Sequence, residues 1–325
     1  MPVDVLVVGI DSTRGWTEAR LELAAGLERA GATVAEVGTG PVPRVRTFAL
    51  TDLAEARLAR RAALRAIAAH RPRAIVYMSS NAALLWPRPG AISLDSVAAE
   101  NRPGRHGIWQ RPVERRRLAQ APLLLVWSER ALAPIATHAP AQLVPVPVEL
   151  PADLTAPRDI DVLTYAGDPV KRRLDAVVAA WQEARRDGET MVVAGLDGFT
   201  PPAGVASAGR VSRDAFRALL ARARVFGAAP RREDYGIAAL EALACGCLLA
   251  TTPSAGPYPA REIARQLDPR LVGEDLARAL RVALDDPLPG YPERARALLA
   301  PYSHEAVDRA LATDVLPRLL ARSEP

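Results

Sequence analysis

Short β-branched runs alternate with alanine-rich amphipathic segments along the whole chain, and no other feature constrains the fold as much. This is the sequence form of stacked βαβ units, in which each crossover helix makes the strands parallel and covers a sheet face. In the first half, strands are expected at Val3–Gly9, Thr33–Val37, Ala74–Met78, Ala91–Leu94, Leu123–Val126 and Gln142–Val146. In the second half, Ile160–Gly167, Met191–Gly195 and Ala223–Ala228 read the same way. Between the halves, Pro145-Val-Pro-Val-Glu-Leu-Pro151 and a further proline before Arg158 interrupt the pattern and mark a domain boundary. The expectation is an α/β protein with one domain over residues 1–150, a second over residues 151–301, and a capped final helix over residues 302–325. That helix runs from Tyr302-Ser-His-Glu305 to Arg322, with Ser303 at its N-cap. At 325 residues there is length for a sizeable core in each domain.

Composition narrows the function classes. The net charge of +5 permits anionic partners, but no basic run is interleaved with aromatic residues, so nucleic acid is not expected. The two cysteines, Cys245 and Cys247, stand one residue apart in an apolar stretch and cannot staple distant segments, which points to a reducing compartment. His70, His106, His138 and His304 are scattered without paired spacing, so no zinc site is expected. Pro2-Val-Asp-Val-Leu-Val-Val-Gly9 has a buried-strand pattern with an acid in it and no cleavage site behind it, and no stretch is long and apolar enough to span a bilayer. A cytoplasmic protein is expected.

The stretch Arg232-Glu-Asp-Tyr-Gly-Ile-Ala-Ala-Leu-Glu-Ala-Leu-Ala-Cys-Gly-Cys-Leu-Leu249 speaks to chemistry. Gly236 lets the backbone turn from a loop holding Glu233 into a helix whose buried face is supplied by Ile237, Leu240 and Leu243. The first N–H groups of that helix are unpaired; Glu233 stands at its mouth and Glu241 about two turns inside. An anion suits the helix N-terminus and vicinal hydroxyls suit the carboxylates, a combination found in a nucleotide sugar. The chain also holds a single lysine, Lys171, in Asp168-Pro-Val-Lys-Arg-Arg173 at the head of an expected helix. A compact ammonium there either pairs with a diphosphate or is a solvated helix end.

Together these residues resemble the retaining GT-B glycosyltransferases, specifically glycosyltransferase family 4. The order is that family's: strand Ile160–Gly167 with Lys171, strand Met191–Gly195, Gly209-Arg-Val-Ser-Arg-Asp, strand Ala223–Ala228, then Glu233 and Glu241. The resemblance implies two Rossmann-like parallel-sheet domains facing a cleft, with the final helix crossing back onto the first. It implies a nucleoside diphosphate sugar as donor substrate, an acceptor that is a sugar, lipid or small molecule, and neither metal nor cofactor. By the same resemblance Glu233 binds sugar hydroxyls and Glu241 the ribose. Lys171, with Arg172 or Arg173, stabilises the leaving diphosphate. Gly236, Ile237 and Ala238 offer backbone N–H groups, and Val211 and Gly15 belong to the donor side.

Several positions depart from the family. Gly9-Ile-Asp-Ser-Thr-Arg-Gly15 lacks the Gly-x-Gly-x-x-Gly spacing of a dinucleotide site, and Gly15 is followed by Trp16 where relatives have a second glycine. Gly15 is thus either a helix-entry turn or a ligand contact. Asp168 stands where many relatives place an arginine, and Asp95 where they present a histidine to the donor sugar. Asp95 changes sugar preference or caps the following turn. The loop Asn101–Arg111, with Arg105, His106 and Trp109, either binds the acceptor or is tied down by Trp109 packing. Arg57, Arg60, Arg61 and Arg65, at helical spacing in a helix from about Asp52 to Ala69, read first as a solvated face; membrane contact enters only with a lipid acceptor. The competing readings are a non-catalytic nucleotide-sugar-binding protein and a GT-B nucleotide-sugar epimerase.

Overall fold

A computed structural model describes residues 2–42, 45, 47–134 and 138–321, and its chain contacts gather into two units: Met1–Pro147 with His304–Pro325, and Val148–Ser303. The first unit is built on β1 (Val5–Gly9), β2 (Val34–Gly38), β3 (Ala74–Tyr77), β4 (Ala91–Leu94), β5 (Leu124–Val126) and β6 (Ala141–Leu143). These form a parallel sheet in the order β2-β1-β3-β4-β5-β6. All five residues of β1 are buried, as expected of a central strand covered on both faces. Around the sheet lie α1 (Arg14–Arg29), α2 (Phe48–His70), α3 (Ser80–Ala83), α4 (Ala98–Asn101), α5 (Gln110–Gln120) and α6 (Glu129–Leu132). Leu6, Val8, Ile75, Tyr77, Ile92 and Val126 share one core cluster.

Among the element ends that differ from expectation, two shift by three or four residues for local reasons. The last strand of this unit is three residues, not Gln142–Val146, because Pro145 and Pro147 have no N–H to give a ladder. Helix α2 starts at Phe48 rather than near Asp52, since the Thr47 hydroxyl caps it by accepting from the Leu50 N–H at 3.3 Å.

The second unit holds β7 (Ile160–Tyr165), β8 (Met191–Ala194), β9 (Val205–Gly209), β10 (Ala223–Ala228) and β11 (Leu248–Thr251), parallel in the order β11-β10-β7-β8-β9. Neither β9 nor β11 was expected as a strand: β9 reads Val-Ala-Ser-Ala-Gly, with weak β propensity, and lies at the sheet edge. The helices are α7 (Pro169–Arg172), α8 (Leu174–Ala184), α9 (Arg213–Arg222), α10 (Ile237–Ala244), α11 (Pro259–Leu267), α12 (Leu276–Asp285) and α13 (Tyr291–Leu299). From β7 the chain moves outward through β8 and β9, then returns to β10 on the other side of β7 and continues to β11. The strand order therefore reverses between β7 and β10, and the carboxyl ends of these two strands border the crevice where open α/β sheets take ligands.

The C-terminal run comprises α14 (His304–Ala310), a π turn over Leu311–Val315 and α15 (Leu316–Ala321), rather than one regular helix. It packs in the first unit on α1, where the Arg29 guanidinium holds Asp308 at 2.6 Å and His304 Nδ1 lies 3.1 Å from Glu22. Arg322 and the three residues after it lie outside the described residues. Among the described residues no helix is long and apolar enough to cross a membrane.

Candidate functional site

At the β7/β10 reversal the second unit has a concavity of about 310 Å³, open to solvent, bordered by Thr164, Tyr165, Arg172, Glu233, Gly236 and Tyr258. Strand ends supply Thr164 and Tyr165, while α7 supplies Arg172. The rest comes from the turn that enters α10 and from Tyr258 just before α11. Gly236 has φ of 82°, a left-handed conformation, and a Cβ there would stand 2.8 Å from the Tyr258 ring. Only glycine meets both demands without strain. The Glu233 loop is anchored to the following one: the Glu233 N–H donates to the Ala255 carbonyl at 2.9 Å, and Gly256 lies flat against the Glu233 carbonyl. Tyr258, fully buried with its hydroxyl 3.4 Å from Thr251 Oγ1, closes the floor.

Each glutamate of the pair meets an arginine. Glu233 is buried and ion-paired with Arg172, whose side chain is 26% exposed. Burial pushes the Arg172 guanidinium below its usual pKa, against the opposing pull of Tyr258, Tyr165 and Asp168; it remains a cation. Glu241, also buried, is one turn inside α10 rather than two, because the helix begins at Ile237. Its Oε1 accepts from Arg213 Nε at 3.3 Å, and Arg213 Nη2 lies at the same distance. Leu240 and Leu243 are buried as expected, whereas Ile237 is only half-buried. At the mouth of α10 the N–H groups of Gly236, Ile237 and Ala238 donate to no protein acceptor among the described residues. One concavity thus brings together a cation, a carboxylate and free N–H donors, a set matched to an anion joined to a polyol.

Residues 201–297 match the glycosyl transferases group 1 family. This matched stretch carries Arg213, Glu233, Gly236 and Glu241, with Lys171 and Arg172 lying before it. No curated protein matches the chain in sequence. Solved structures with similar folds include sucrose-phosphate synthase from Thermosynechococcus elongatus, at 16% identity and a TM-score of 0.64 over 98% of this chain and 99% of that one. The α,α-trehalose 6-phosphate synthase of Burkholderia multivorans is similar at 13% identity and a TM-score of 0.67 over the full length of both chains. Anabaena HepE in complex with UDP follows at 14% identity and 0.65, over 95% and 98%. The fold is GT-B, two parallel-sheet α/β units.

The remaining expected residues of the second unit spread out. Lys171 is exposed on α7, a helix of four residues rather than the head of a long one. The Asp168 side chain caps α7 by accepting from the Lys171 N–H at 3.0 Å. Arg173 ends α7 at φ of 49° and does not border the concavity. Val211 precedes Ser212, the N-cap of α9, one residue further from Arg213.

In the first unit, Gly15 sits in the first turn of α1 with open space around it, so nothing steric demands a glycine. Trp16 packs against Trp127 with the rings tilted 45°, centroids 4.8 Å apart. Asp95 follows β4 and its Oδ1 accepts from the Ser96 hydroxyl at 3.3 Å. Arg105 and His106 belong to a 3-10 turn over Gly104–Gly107, where the His106 ring meets the Phe48 edge at 5.5 Å. The Trp109 indole donates to the Ala49 carbonyl at 3.1 Å, pinning this loop to α2.

Sequence reasoning missed Arg213, Tyr258 and a buried polar network under α2. There Asn81 donates to Asp52 at 3.0 Å and Glu55 at 2.7 Å, Arg102 forks onto Asp52 at 2.9 Å through both contacts, and Gln110 donates to Asn81. Burial pushes the Glu55 and Glu114 carboxyls above the usual carboxylate range. The signal was present in α2, whose two acids fall on its alanine-lined inner face at 52 and 55, beside Ala56 and Ala59. Cys245 and Cys247 are buried and free; burial raises their thiols to about 11 and about 12.

Proposed function

We propose that the chain is a retaining glycosyltransferase that moves a sugar from a nucleoside diphosphate to an acceptor hydroxyl. The observation that carries this reading is the Arg172–Glu233 pair beside the free N–H groups of α10 at the β7/β10 reversal. The family match over this stretch and the UDP held by the structurally similar HepE support it.

In this reading the diphosphate takes Arg172 away from Glu233, so the carboxylate becomes available to the sugar hydroxyls. Glu241, oriented by Arg213, accepts from the ribose. The bond from the anomeric carbon to the phosphate oxygen breaks with its electron pair going to that oxygen. Arg172, Lys171 and the N–H groups of Gly236, Ile237 and Ala238 stabilise the growing charge without a metal ion. The acceptor oxygen attacks the same face of the sugar, and its proton passes to an oxygen of the departing phosphate. No protein base is required, and the work of the site is placement and electrostatics.

Incubation with UDP, GDP, ADP and TDP sugars and an acceptor panel tests the reading, with nucleoside diphosphate release and anomeric configuration followed by NMR. Transfer with retention is expected. Inversion would overturn the mechanism, isomerised donor without transfer would indicate an epimerase, and donor binding without turnover on any acceptor a non-catalytic binder. Failure of every nucleoside diphosphate to raise the melting temperature or bind by calorimetry would remove the donor site itself.

A further inference from the structure

Residues 48–120 hold 13 arginines against 5 carboxylates, a net +8 where the whole chain carries +5, so positive charge is concentrated in α2 through α5. Both acids of α2, Asp52 and Glu55, are buried, as is Glu114, the one acid of α5. The outward faces of these two helices therefore expose no carboxylate. Along α2, Leu50, Arg57, Arg61, Leu64 and Arg65 fall on one stripe at helical spacing, and both leucines are about half exposed, at 49% and 47%. Helix α5 adds exposed Arg115 and Arg116.

The two helices share one surface. Arg60 of α2 donates to the Leu85 carbonyl at 3.1 Å and Arg117 of α5 to the Leu84 carbonyl at 3.0 Å, so they meet at the end of α3. Burial lowers the Arg117 pKa, and the positive charges of Arg116 and Arg60 lower it further, which shows how closely the cations crowd. Among the described residues none of Arg57, Arg61, Arg65, Arg115 and Arg116 meets a carboxylate. Several arginines outside this face are neutralised instead: Arg29 by Asp308, Arg186 by Asp285, Arg222 by Asp159, Arg270 by Asp268.

We propose that the face formed by α2 and α5 docks on an anionic lipid leaflet. A plane of phosphate headgroups supplies counter-charges to guanidiniums that the protein leaves unpaired. The interleaved leucines select this partner over a nucleic acid backbone, because an aliphatic side chain enters the headgroup boundary but finds nothing apolar on a phosphate ladder. The proposal is independent of the chemistry at the β7/β10 reversal.

Co-sedimentation with vesicles of phosphatidylcholine alone, or mixed with phosphatidylglycerol, tests it. The native chain should bind the mixed vesicles and not the neutral ones, and high salt should release it. Arg57→Gln/Arg61→Gln/Arg65→Gln should lower the vesicle partition coefficient on the order of a hundredfold, each basic residue near an anionic surface being worth about fivefold. Leu50→Ser/Leu64→Ser should weaken binding with the charge intact. The charge-matched control Arg278→Gln/Arg294→Gln/Arg309→Gln should retain it, and unchanged melting temperatures certify folding in all three. Absence of native binding to mixed vesicles would overturn the proposal, as would equal loss in the control. Duplex DNA displacing the protein from vesicles through the same arginines would assign the face to nucleic acid and overturn it too.

Discussion

Replacing Arg172 by alanine probes the pair at the centre of the candidate site. Glu233 is only 5% exposed, and Arg172 is its one ion-pair partner among the described residues. Removing the guanidinium leaves a carboxylate facing Tyr258 and the α10 mouth. Truncating one member of a fully buried pair costs about 3–5 kcal/mol, and a charge-assisted hydrogen bond is worth about 1.5–3 kcal/mol. Because a quarter of the Arg172 side chain meets water, the low end applies, about 2 kcal/mol. At about 2–4 °C per kcal/mol for a unit of this size, the melting temperature should fall by roughly 4–8 °C. The double variant Arg172→Ala/Glu233→Gln strands no charge, so it should recover at least half of that loss in stability without recovering activity. Calorimetric unfolding of the native chain, both single variants and the double variant measures the coupling. A loss below about 0.5 kcal/mol in Arg172→Ala, with additive effects in the double variant, would refute the pairing. In the donor assay Arg172→Ala should lose roughly ten- to a hundredfold in kcat/KM, and Lys171→Ala, exposed on α7, should lose less.

Gly236→Ala must place a Cβ against the Tyr258 ring at φ of 82°, so it should cost about 1–3 kcal/mol and slow turnover; an unchanged melting temperature would show that the turn relaxes freely. Glu241→Gln should weaken nucleoside diphosphate and nucleotide sugar alike, whereas Glu233→Gln should spare the free nucleotide and lower the transfer rate. Identical calorimetric profiles for the two variants would contradict their separate roles. Glu114, whose folded-state pKa is raised by burial, binds its proton more tightly folded than unfolded. Its contribution is favourable below the unfolded value of about 4.3 and is lost as pH rises through the folded value. Glu114→Gln, which carries no charge, should therefore gain most over the native chain near pH 7, with the gain shrinking toward pH 4; a pH-independent difference in melting temperature would reject this.

What the sequence disclosed followed from local demands. Gly236 announces a left-handed turn, apolar spacing announces α10, and an acid on each side of that turn places Glu233 and Glu241. Arg213 and Tyr258 were hidden because their partners lie 28 and 7 residues away and are met only through the sheet order. Strand β9 escaped for a related reason, since an edge strand of valine, alanine, serine and glycine gains its structure from β8 and not from its own propensity. The choice between Arg172 and Arg173 shows the limit most clearly. Neighbouring residues on a helix point about 100° apart, so the first helical turn lets at least one arginine face the concavity, and composition is silent on which. The backbone decides it: Arg173 takes the left-handed conformation that ends α7 and starts α8, leaving Arg172 in the last helical position, turned onto Glu233. A single left-handed residue between α7 and α8 thus separates the two cations, and Arg172 is the one that meets the carboxylate.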